Sequence, residues 1–137
     1  MPHIQNISIK SAQTGDHPNY GSDAVYIQIV DPDMDHYTPS FNFKEVYNFK
    51  FLDVEESDMP YGKITQEQAD QLVKILTNAY INHQNVAVSC VVGVCRSGAV
   101  AEVGTIMGFD ETNAYRQPNL LVKKLMLKSL GLSYEVD

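Results

Sequence analysis

Apolar and polar positions alternate weakly from Ile4 to Ile9, where Ile4, Ile7 and Ile9 stand among Gln, Asn and Ser, the pattern of an edge strand. Ala24 to Val30 is a second strand, rich in β-branched and aromatic residues. Phe41 to Val54 alternates again, with Val46, Phe49 and Phe51 as expected core positions. The period then changes. Thr65 and Gln68 fit a capping box, and Ala69, Leu72, Val73, Leu76 and Tyr80 recur at helical spacing to about Asn82. Val86 to Val91 is a short, mainly apolar run, expected as a central strand buried on both faces. A helix is expected from Arg96 to about Met107. A last one should open with Pro118 as its first residue, carry Leu121, Val122, Leu125 and Leu130 inward and Lys123, Lys124 and Lys128 outward, and stop at Gly131. Ser11 to Ser22 is expected as a turn-rich loop. Asp31, Asp33 and Asp35 are expected as solvated turn residues rather than a metal site. Strands and helices alternate in the second half, so the expected fold is α/β: a short central, mainly parallel sheet flanked by helices.

With 137 residues the chain suits a single domain spanning 1–137. No apolar run approaches the roughly 20 residues that cross a bilayer, and the first residues lack a secretory pattern. Two cysteines do not make a disulfide scaffold, which points to a reducing, cytoplasmic setting. A net charge of −7 argues against a nucleic-acid surface, which needs clustered Lys and Arg. No nucleic-acid or membrane partner is expected, and the oligomeric state stays open.

One charge breaks the apolar stretch from Val86 to Ala101, and it is Arg96. A guanidinium in such surroundings needs an anionic partner. A strand ending at Cys90, a glycine-containing loop and a helix starting near Arg96 would converge the backbone N–H groups of Val91, Val92, Gly93, Val94, Cys95 and Arg96 on one point. That makes an oxyanion cradle with a thiol at its base. Such a positive field favours the thiolate, the nucleophilic form of cysteine. Arg96 can pair with two phosphate oxygens at once, and Ser97 can hydrogen-bond the sulfur as it leaves. The natural chemistry is attack of Cys90 on phosphorus, followed by hydrolysis of the phosphocysteine. An acid must protonate the leaving oxygen. Asp53, at the end of an alternating strand, is the favoured candidate, with Asp58 in reserve.

Cys90 to Ser97 reads Cys-Val-Val-Gly-Val-Cys-Arg-Ser, which resembles the Cys-x5-Arg-Ser/Thr signature of the cysteine-dependent protein tyrosine phosphatases, in particular the small dual-specificity type of bacteria and viruses. Phe49-Lys-Phe-Leu-Asp53 is similar to the family's strand-then-aspartate segment, and Arg116-Gln-Pro-Asn-Leu-Leu-Val to the opening of a C-terminal helix. The resemblance implies Cys90 as nucleophile, Arg96 as phosphate clamp, Ser97 as leaving-group helper and Asp53 as general acid. It implies no cofactor and no metal. A phosphorylated protein is the implied substrate, phosphotyrosine favoured. The competing readings are a phosphate-binding module without turnover and a nucleotide, RNA or phosphoinositide phosphatase of the same fold. Ser89 stands where the family usually has His. Cys95 before Arg96 resembles the low-molecular-weight tyrosine phosphatases, and suggests a reversible Cys90–Cys95 disulfide.

Overall fold

The computed structural model describes residues 2–55 and 61–132, so Asp58 lies outside the described residues. The chain runs β1 (Ile4–Ser8), α1 (Ile9–Thr14), β2 (Val25–Val30), β3 (Glu45–Lys50), α2 (Gln66–Ile81), β4 (Val86–Cys90), α3 (Arg96–Met107) and α4 (Leu120–Ser129). The four strands form one sheet in the order β1-β4-β2-β3, and every pairing is parallel. All carboxyl ends therefore share one edge, the usual place for ligands in open parallel sheets.

The two central strands are buried at every position, in keeping with their mainly apolar character. Val25, Ile27, Ile29, Val86, Val88 and Cys90 face one side, where Leu72 and Leu76 of α2, Val100 and Val103 of α3 and Val122 and Met126 of α4 complete the main core. The opposite face is smaller: Tyr26 and Ala87 pack with Ala12, Tyr20 and Phe43. There a buried polar chain replaces apolar contact. Tyr26 Oη and Ser89 Oγ are hydrogen-bonded at 2.6 Å, and Gln28 Nε2 donates to Tyr26 Oη at 2.9 Å.

Three details differ from the sequence expectation. Ser11–Ser22 is not all loop, because α1 occupies its start. Ser8 Oγ accepts from Ser11 N–H at 3.1 Å and Gly15 closes the helix in the left-handed region, a unit too short to show periodicity. Val46 is 45% exposed, because it lies on the thinly covered face of edge strand β3, while Phe49 and Phe51 are buried as expected. Pro118 precedes α4 rather than opening it. Asn119 is the cap, its Oδ1 accepting from Val122 N–H at 3.0 Å. α2 begins with both bonds of the expected Thr65–Gln68 capping box. Among the described residues, no helix is long and apolar enough to cross a membrane.

Candidate active site

β4 ends at Cys90, buried at the carboxyl edge, and five residues later the chain re-enters a helix at Arg96. The loop between them lies directly on the end of β1. Gly93 has φ +82, and a Cβ there would stand 2.3 Å from the Ser8 amide nitrogen. Backbone conformation and space both demand glycine.

Every loop carbonyl with an assigned partner is held from outside. Asn6 Nδ2 donates to Gly93 O at 2.7 Å and to Tyr115 O at 2.8 Å. Gln117 N–H donates to Val94 O at 3.0 Å, and Cys95 O accepts from Ala99 N–H at 2.9 Å and Asn119 N–H at 3.0 Å. In a trans peptide the N–H points opposite its C=O. These bonds therefore turn the amides of Val94, Cys95 and Arg96 to the loop's inner side. No side chain caps the first turn of α3, unlike α1, α2 and α4, so its amides and its dipole face the same concavity.

The thiol sits at the floor. Cys90 Sγ is 3.2 Å from Ser97 Oγ and accepts from Ser97 N–H at 3.5 Å. Ser97 is completely buried and can serve only the sulfur's surroundings. Ser89, one residue earlier, points to the opposite face of the sheet and is used by Tyr26, so it has no direct part in the thiol's setting.

Arg96 is 5% exposed. Its Nη1 donates to Asp31 Oδ1 at 2.7 Å and to Phe51 O at 2.8 Å. Its Nε is buried without a partner among the described residues. The sequence pointed to an oxyanion as the counter-charge of Arg96. The structure adds Asp31, which is therefore more than a solvated turn residue.

Asp53 is exposed at the rim beyond β3. Asn119 Nδ2 donates to Asp53 Oδ1 at 2.7 Å and to Val54 O at 3.1 Å, while Glu55 accepts from Leu120 N–H at 2.8 Å. Asp53, Glu55, Cys95, Gln117, Asn119 and Leu120 line an open cavity of about 510 Å³. Cys95 is half-buried there. Burial first, then the nearby Asp53 charge, push its thiol above its ordinary range, with Cys90, a hydrogen bond to Asp53 and Glu55 adding in the same direction. It stays protonated at neutral pH. Both cysteines are free thiols. The structure thus brings Cys90, Arg96 and Ser97 together with Asp53 on the adjoining wall.

Asn6 and Asp31 escaped the sequence reading. Asn6 left a trace: it shares the pleat phase of Ile4, so an amide stands where the core-facing side of β1 should be apolar.

The all-parallel sheet flanked by helices is a fold that the chain shares with a solved tyrosine phosphatase. Among solved structures the chain is similar to OH1 from the Orf virus, described as a tyrosine phosphatase that displays distinct structural features and triple substrate specificity. The TM-score is 0.54 at 16% identity, over 93% of this chain and 82% of that one. The likeness is one of fold. No protein-family model matches the sequence, and no curated protein matches it.

Proposed function

We propose that the protein is a phosphate monoester hydrolase that works through a phosphocysteine on Cys90, with phosphotyrosine in proteins as its favoured substrate. The observation that carries this reading is the state of Arg96. Its Nη1 is fully occupied, while its buried Nε has no acceptor among the described residues and lies beside a loop whose amides turn inward. A phosphoryl group supplies acceptors for Nε, Nη2 and the amides together.

Cys90 Sγ attacks phosphorus in line with the ester oxygen, forming the S–P bond as the P–O bond breaks. Asp53 gives its proton to the departing oxygen. Asn119 Nδ2 holds the Asp53 carboxyl in place through Oδ1. Water then attacks phosphorus, the Asp53 carboxylate takes its proton, and the S–P bond breaks. Ser97 Oγ, 3.2 Å from the sulfur, donates to the departing thiolate. Inorganic phosphate is released. Arg96 and the loop amides meet the charge that builds on the equatorial oxygens, so the chemistry calls for no metal.

The rim supports an aryl phosphate on a protein. Val91 and Val92, at the start of the loop, are exposed, and Tyr115, bridged to it through Asn6, is 72% exposed. Asp53 and Glu55 disfavour polyanions such as nucleic acids and phosphoinositides.

The test is hydrolysis of para-nitrophenyl phosphate by purified protein in excess EDTA, with Asp53→Asn alongside. Undiminished wild-type turnover in chelator is expected. Asp53→Asn should lower kcat by about 100-fold and lose the high-pH limb of the profile. Phosphate binding without any turnover would overturn the reading in favour of a binding module. Full kcat in Asp53→Asn would remove Asp53 as the acid and shift the search to Asp58.

A further inference from the structure

Asp31 is not needed to hold its own turn. Met34 N–H donates to Asp31 O at 3.0 Å, and Gln28 grips the Tyr37 backbone from both sides, Nε2 to the carbonyl at 2.9 Å and Oε1 from the N–H at 2.8 Å. His36 Nε2 adds a contact to Phe49 O at 3.0 Å. None of these bonds uses the Asp31 carboxylate. Among the described residues, its one assigned partner is Arg96 Nη1.

The sheet explains how residues so far apart meet. β2 and β4 are parallel neighbours with Gln28 level with Ser89. Asp31, just past the end of β2, therefore stands just above the level of Cys90. Phe51, just past the end of β3, stands next to it. Two acceptors from adjacent strand ends thus take the two hydrogens of Nη1.

A guanidinium is planar and rigid, so fixing Nη1 fixes the whole group. The edge left over is the side formed by Nε and Nη2, the fork that matches two oxygens of a phosphate. Building on the proposed phosphatase site, we propose that Asp31 is a positioning residue that aims this fork into the loop. Phe51 O contributes a second bond, but a neutral and backbone-borne one. Asp31 supplies the charged, replaceable part of the anchor.

This role makes a prediction opposite to that of simple charge. Asp31 places a negative charge next to an anion site. If charge alone mattered, removing it would tighten the binding of phosphate. If aim matters more, removing it loosens binding even though the site becomes more positive.

The experiment compares wild type, Asp31→Asn and Asp31→Ala in para-nitrophenyl phosphate turnover and in competitive inhibition by inorganic phosphate. The expected result for Asp31→Ala is an inhibition constant for phosphate raised by about tenfold and kcat/KM lowered by about 30-fold, with most of that loss in KM. Asp31→Asn keeps an acceptor oxygen in the same place and should fall between the two. It also covers the case in which the alanine variant fails to fold. In an Arg96→Lys background, which already lacks the fork, Asp31→Asn should cost nothing further, whereas a merely structural role would cost the same in both backgrounds. Tighter phosphate binding, unchanged kinetics in both Asp31 variants, or an equal loss in the Arg96→Lys background would overturn the proposal. A wild-type protein that neither turns over the substrate nor binds phosphate would instead overturn the underlying phosphatase reading.

Discussion

Cys90→Ser is expected to abolish hydrolysis of para-nitrophenyl phosphate, with kcat falling on the order of 10^4-fold or more, as when a catalytic nucleophile is removed. The protein should stay folded and keep its affinity for inorganic phosphate. The reason lies in which atoms do which task. Phosphate is held by the loop amides and the Arg96 fork, none of which the substitution touches, while the sulfur supplies only the attacking electron pair. A serine hydroxyl fits the buried floor and can take the hydrogen bond to Ser97 Oγ, now at 3.2 Å from the sulfur. It is not ionised near neutral pH, so it lacks the electron pair that the thiolate brings to phosphorus. Substrate analogue titration beside the kinetic assay separates the two outcomes. Turnover within tenfold of wild type in Cys90→Ser would refute nucleophilic catalysis by the thiol.

The second large effect is expected at Arg96. Arg96→Lys keeps the charge but loses the planar fork, so kcat/KM should drop by roughly 10^2- to 10^3-fold, in the range seen when a preorganised donor to a transition-state oxyanion is removed. The ammonium cannot at once reach Asp31, Phe51 O and a phosphate, tasks that Arg96 divides between Nη1 and its opposite edge. KM and kcat should both worsen, because ground-state phosphate and the more highly charged transition state use the same donors. Steady-state kinetics on a variant with a wild-type melting curve checks this. A loss of less than threefold would mean that charge without directionality suffices.

The thiol, the arginine and the serine were legible because they lie within one short, local unit. A strand, a loop and a helix N-terminus are fixed by neighbouring residues, so the spacing of Cys90, Arg96 and Ser97 carries their geometry. Asp31 and Asn6 were not legible for the converse reason. Asp31 is one of three aspartates in a turn, and only the lateral pairing of β2 with β4 selects it as the partner of Arg96. Asn6 reaches Gly93 because β1 pairs with the other edge of β4, a pairing that no local periodicity encodes. The same limit explains Val46. Its alternation encodes a strand, but which face of the sheet is well covered depends on where the helices pack. The parallel sheet itself was expected from the alternation of elements. The order β1-β4-β2-β3 comes from the structure alone.

Asp53 lies between these cases. Its place at the end of an alternating run was visible in the sequence. Its attachment to Asn119, the cap of α4, was not, because Pro118 drew the expected helix start two residues too early. That cap has two tasks: Oδ1 closes the helix and Nδ2 holds the Asp53 carboxylate at the cavity wall.

The most direct measurement is acid quenching of wild-type protein during turnover of a ³²P-labelled phosphotyrosine peptide, followed by peptide mapping of the label. The expected result is an acid-trapped phosphoryl group on the peptide that contains Cys90, present in wild type, increased in Asp53→Asn if breakdown is slowed more than formation, and missing in Cys90→Ser. Turnover with no label on that peptide, or label persisting in Cys90→Ser, would contradict a phosphocysteine intermediate.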